Sequence, residues 1–231
     1  FHQGTPFVQG SMDFKPAFGG SDEGFKETMT DRIKRIAQEE YGVDALTGLH
    51  TYAYYISTSD TALLSNPEVV RQLEYFPTEA YTLSEQISST QDILKIFEDN
   101  SNFNLTTGFF VYNMRYILVD DEIMYVNSVT GNSFIVQRGQ CGTSAVPHRK
   151  GTTIYHLTGL FGAFSPREDS QLFKDIAYNT AEAYVKGGFE MIYLDALDGI
   201  TRHTIDTWYY SALFVKEITR NIHEFRKLDE Y

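Results

Sequence analysis

Gly188-Phe-Glu-Met-Ile-Tyr-Leu-Asp-Ala-Leu-Asp-Gly199 is the stretch from which the fold is read. Met191 to Leu194 is a short apolar run with the character of a buried strand, and it stops at an aspartate that opens into an Asp-Gly turn. In a sheet of parallel strands alternating with helices, the carboxyl end of each strand faces the active-site mouth. Asp195 sits at that end and is the first catalytic candidate, with Asp198 three residues on as the second. Each has a plainer reading. Asp195 can hydrogen-bond a neighbouring loop, and Asp198 can simply shape the turn with Gly199.

On either side the periodicity is helical. Ser170 to Lys186 places Leu172, Phe173, Ile176, Ala177, Thr180 and Tyr184 on one face, with Gly187-Gly188 as its stop. A last helix, about Asp206 to Leu228, repeats Tyr210, Leu213, Phe214, Ile218, Ile222 and Phe225. Near the other end of the chain, Ser21 to Tyr41 carries Phe25, Met29, Ile33 and Ile36 at helical spacing before Gly42. Ala45 to Ile56 then reads as one strand rich in β-formers, ended by Ser57-Thr-Ser-Asp60.

After Pro77 the period changes. Tyr116-Ile-Leu-Val119, Ile123-Met-Tyr-Val126, a turn at Gly131-Asn132 and Ser133-Phe-Ile-Val-Gln137 read as a small antiparallel β module. The expected fold class is therefore α/β, a partial (β/α) TIM-type barrel with an inserted small antiparallel β domain. Residues 1–77 and 158–231 are assigned to barrel βα units and residues 78–157 to the insertion. Too few strand–helix repeats are visible to close a barrel, and the chain opens on Phe1, so an incomplete or processed chain is expected.

Composition narrows the function classes. A formal charge of −12 over 231 residues, without clustered Lys or Arg, argues against a nucleic-acid partner. No apolar run is long enough to cross a bilayer, so no membrane insertion is expected. The single Cys141 excludes an internal disulfide, and in Arg138-Gly-Gln-Cys-Gly-Thr143 it reads as a small turn residue rather than a nucleophile. Asp120, Asp121 and Glu122 are adjacent on a strand and point to alternate faces, so neither a metal nor any other cofactor is called. Asn104-Leu-Thr106 is a glycosylation sequon, in keeping with an extracellular or periplasmic protein. Oligomeric state is left open. Aromatic residues make up 15% of the chain, a bias shared by sugar-binding surfaces and by aromatic packing.

Several segments together, in their order, carry a resemblance: Gly48-Leu-His-Thr-Tyr52; Val119-Asp-Asp-Glu-Ile123; Gln137-Arg-Gly-Gln-Cys-Gly-Thr-Ser144 followed by His148; and Phe189 to Gly199 followed by Trp208-Tyr-Tyr210. The chain resembles glycoside-hydrolase-like (β/α)8 barrels of bacteria, distantly similar to α-galactosidase-type enzymes. The Asp-Asp-Glu and Arg-Gly-Gln segments also look like structural β modules of phage-tail and surface proteins. The resemblance implies a glycan substrate or ligand, a catalytic carboxylate at Asp195, and His50 on the same rim.

Glycoside cleavage needs two carboxyl groups. Asp198 is the only other acid near Asp195 in sequence, and a general acid from a later strand would lie beyond Tyr231. Substrate-binding candidates are His50 and Tyr52 at a strand end, His2 and Gln3 as the stub of an earlier strand, His203 on a loop, and Trp208 and Tyr209 as stacking rings. The leading expectation is a glycoside-hydrolase-like protein cleaving or binding a complex glycan. The alternative is a non-catalytic carbohydrate-binding or structural protein on a degenerate or partial barrel.

Overall fold

A computed structural model of the chain describes residues 8–13, 29–197, 199 and 207–228. In chain order its elements are α1 (Met29–Tyr41), β1 (Gly48–Thr51), β2 (Ile56–Ser57), α2 (Thr61–Leu64), α3 (Pro67–Val70), β3 (Tyr75–Thr82), β4 (Ile93–Lys95), β5 (Tyr116–Val119), β6 (Glu122–Val129), β7 (Ser133–Gln137), β8 (Thr153–Leu157), β9 (Gly159–Leu160), β10 (Ala163–Phe164), α4 (Gln171–Lys186), β11 (Met191–Leu194) and α5 (Thr207–Leu228). They form two compact units. One joins Phe1–Tyr54 to Glu168–Tyr231, and the other is Tyr55–Arg167.

The first unit holds the described helices of any length and one parallel strand pair. α4 starts where Ser170 caps it, the Ser170 Oγ accepting from the Phe173 N–H at 3.2 Å. It stops at Gly188, whose left-handed φ of +64° lets the Gly188 and Phe189 N–H groups return to the carbonyls of Val185 and Tyr184. The buried face of α4 includes the six residues that the periodicity puts there. It packs on α5 through Phe173 and Phe214, ring centroids 5.2 Å apart. β1 and β11 pair in parallel, Gly48 opposite Met191 and Thr51 opposite Leu194. Leu49 and Ile192 face a small core with Met12, Ala183, Tyr184 and Ile222. His50, by alternation, lies on the opposite face from Leu49.

The second unit is antiparallel. Its main sheet has six strands in the order β3-β8-β5-β6-β7-β4. Ile117 and Val119, Met124 and Val126, and Phe134 and Val136 alternate into one buried cluster with Tyr81, Leu83, Leu94 and Ile154, the period of two that a sheet with one covered face requires. β3 is an edge strand whose pairing with β8 is interrupted between Tyr75 and Ala80, and Pro77, which has no N–H to give a ladder, sits in that interruption. A second sheet of three short strands, β2-β10-β9, is antiparallel as well.

The partial (β/α) TIM-type barrel is therefore not the fold. Among the described residues the β1–β11 pair is parallel and every other strand pairing is antiparallel, without the alternation of strand and helix that defines a barrel. The physical origin of the discrepancy lies in Ala45–Ile56. Its β-formers suggest one strand, but Ala53 takes a left-handed φ of +41° and divides the run. Gly48–Thr51 goes to β11, while Ile56–Ser57 turns into the β2-β10-β9 sheet. The intervening α2 and α3 are single turns capped by Asp60 and Asn66 and are too short to act as crossover helices.

Candidate functional site

At the carboxyl ends of the parallel pair, His50 Nε2 and Asp195 Oδ2 stand 3.3 Å apart. The pair is part-exposed, with 25% and 39% of the two side chains open. The Asp195 N–H extends the ladder to Thr51 O at 2.8 Å, and Asp195 Oδ1 accepts from the Ala196 N–H at 2.9 Å. Ala196 has a left-handed φ of +61°, and its carbonyl accepts from the Tyr54 hydroxyl. The turn that carries Asp195 is thus anchored from below. Tyr193 lies against the His50 ring at 4.7 Å.

A residue without sequence prominence completes this end of β1. The buried Gln9 side chain accepts from Thr51 Oγ1 at 2.8 Å and from the Tyr52 N–H at 3.1 Å. Tyr52 is therefore fixed through its backbone. Trp208 and Tyr209 stand exposed on the first turn of α5, Tyr209 edge-on to Tyr210 at 5.1 Å. Asp198, His2, Gln3 and His203 lie outside the described residues.

The second polar cluster is in the β-rich unit. Glu122 opens β6 with no exposed side-chain surface, and Arg138, following β7, is 8% exposed. The Arg138 Nε and Nη2 groups both donate to Glu122 at 2.7 Å, a fork-to-carboxylate pairing. Glu122 also accepts from the Gly139 and Val146 N–H groups and from His148 Nε2 at 2.9 Å. His148 Nδ1 faces Asp120 Oδ2 at 2.7 Å, so both ring nitrogens carry protons toward carboxylates. The rest of the Arg138 fork donates to the carbonyls of Ser88, Gln91 and Val146.

Burial alone would push the Glu122 carboxyl up; the bonds from Arg138, His148, Val146 and Gly139 more than reverse this and hold it at about 2. Burial likewise disfavours charge on His148, but Glu122 and Asp120 outweigh it and the imidazole stays protonated above its ordinary range. Every acceptor position of Glu122 is engaged within the fold. The cluster ties three loops together, those between β3 and β4, β5 and β6, and β7 and β8. Asp121, next in sequence, points elsewhere and pairs with Arg71 at 2.6 and 2.7 Å.

A third feature is open. A cavity of about 360 Å³ in the β-rich unit is lined by Phe109, Tyr116, Tyr125 and Phe161, with Asn113 and Arg115 among its polar walls. Phe109 and Phe161 meet at 4.8 Å, Tyr116 and Tyr125 edge-on at 5.2 Å. The Arg115 guanidinium lies 5.1 Å over the Tyr125 ring. Tyr116 also hydrogen-bonds Cys141, whose thiol burial pushes up to about 11, so it stays protonated at neutral pH. None of these wall residues stands out by charge pattern or spacing. The signal that marks them is Gly108-Phe-Phe-Val-Tyr-Asn-Met-Arg-Tyr116, an aromatic-rich segment beside a strand.

No protein-family model matches the chain, and a search of curated proteins finds no match. The resemblance to glycoside-hydrolase-like (β/α)8 barrels and α-galactosidase-type enzymes is corrected on both grounds: the sheets are mainly antiparallel, and no family match supports it. With it go the TIM-barrel, hydrolase and carbohydrate assignments that rested on that barrel. No described helix is long and apolar enough to cross a membrane.

Proposed function

We propose that this chain is a non-catalytic binding protein whose β-rich unit takes a small ring-containing ligand in the Phe109–Phe161 cavity. The carrying observation is the cavity itself: about 360 Å³ within one unit, walled by four aromatic rings and the polar side chains of Thr58, Thr107, Asn113 and Arg115, the size and makeup of small-molecule sites. The nearby Glu122–Arg138–His148 cluster supports a binding role over a catalytic one. Its groups are buried and mutually satisfied, which suits a scaffold that keeps loops in place.

The test is a screen of small ring compounds by protein-observed NMR on the intact chain. Ligands of this site shift amides in residues 107–116 and 161–162, and Phe109→Ala weakens them. Phe109 is more than half exposed, so its truncation spares the core. A screen that moves no amide in these segments refutes the reading.

A further inference from the structure

One group in the cavity wall is left with unused capacity. Arg115 donates from Nε to Val126 O at 3.0 Å and from Nη2 to Asn127 O. These carbonyls hold the guanidinium over the Tyr125 ring without neutralising it, and no carboxylate pairs with it among the described residues. In a chain of net charge −12, such a cation in a cavity wall is a local exception.

We propose that this cavity selects a small aromatic carboxylate, the carboxylate meeting Arg115. This rests on the binding reading above and names the ligand class for it. A guanidinium recognises a carboxylate through paired N–H groups. The rings of Phe109, Phe161, Tyr116 and Tyr125 suit a flat partner.

The test is calorimetric titration of the full chain with three probes: a naphthoate, its neutral carboxamide, and glucuronate. The naphthoate binds tightest, and loss of the charge weakens binding about tenfold. Arg115→Gln binds the carboxylate and the carboxamide alike. Because Arg115 also holds backbone carbonyls, salt dependence of the unaltered chain is the second measurement: added salt weakens the carboxylate and leaves the carboxamide unchanged. Equal binding of carboxylate and carboxamide overturns the charge assignment, while continued weakening of both by Phe109→Ala preserves the cavity as a binding site. Tightest binding by glucuronate overturns the aromatic assignment. Failure of all three probes, with the amides of residues 107–116 unmoved, overturns this proposal and the binding reading together.

Discussion

Glu122→Gln is the sharpest perturbation of the β-rich unit. The amide keeps the shape of the carboxylate but removes the charge that Arg138 and His148 face across 2.7 and 2.9 Å. With the Glu122 carboxyl at about 2 against an ordinary value of 4.5, its native interactions contribute roughly 3 kcal/mol at neutral pH. Leaving the buried Arg138 uncompensated puts the loss at about 3–5 kcal/mol. The sign follows from the depressed value. The stabilisation is complete above about 4.5 and is lost as pH falls through 4.5 toward about 2. Urea unfolding of both chains, followed by amide NMR of the β-rich unit, measures the gap. Fluorescence of Trp208, the only tryptophan, would instead report α5 in the other unit. A gap under about 1 kcal/mol at pH 7, or one that stays constant as pH falls to 2.5, refutes the account of Glu122 as a buried, charge-paired anchor.

Three further expectations follow from other sites. His148 is held protonated above its ordinary range, so its contribution is complete below about 6.5 and is lost as pH rises through the native value; His148→Gln flattens this alkaline decline in thermal unfolding, and an unchanged profile counts against it. Gly159→Ala would bring a methyl to 2.0 Å from Ala163 O, a backbone atom, so a loss of ~2 kcal/mol or more is expected in denaturant unfolding, and a neutral effect is the contrary result. Asp195→Ala removes a part-exposed pair with His50 and is expected to cost at most about 1 kcal/mol by thermal melt; a larger loss would mean that the turn at Ala196 depends on it.

What could be read from the sequence was what depends on near neighbours. α4 and α5 follow from apolar residues at helical spacing, and Ser170 and Gly188 mark the ends of α4 through local capping geometry. β5, β6 and β7 follow from alternation around the Gly131 turn. What stayed hidden depends on distant partners. Nothing local announces that Ala53 adopts a left-handed conformation, yet that one residue separates β1 from β2 and removes the barrel from consideration. Glu122, Arg138 and His148 each occur in motifs visible in the chain, but only pairing of β6 with β7 and closure of the following loop bring them together. The meeting of His50 and Asp195 needed only that β1 and β11 be parallel neighbours, which the strand-end pattern suggested even though the barrel around them was mistaken. The cavity is the hardest to foresee, because its rings come from a loop, two strands and a turn with no shared spacing.

The pairing of β2 with β10 bears on the order in which the chain folds. Ile56 and Ser57, just after the chain enters the β-rich unit, lie opposite Phe164 and Ala163, just before it leaves. That unit is continuous in sequence, so it can form without waiting for the rest. The other unit is split, and joining β1 to β11 before the intervening chain is ordered would mean closing a very long loop. Once β2 and β10 meet, that loop shrinks to residues 52–55 on one side and residues 165–190, which include α4, on the other. Forming the β-rich unit first would hold two remote pieces of chain at high effective concentration for each other.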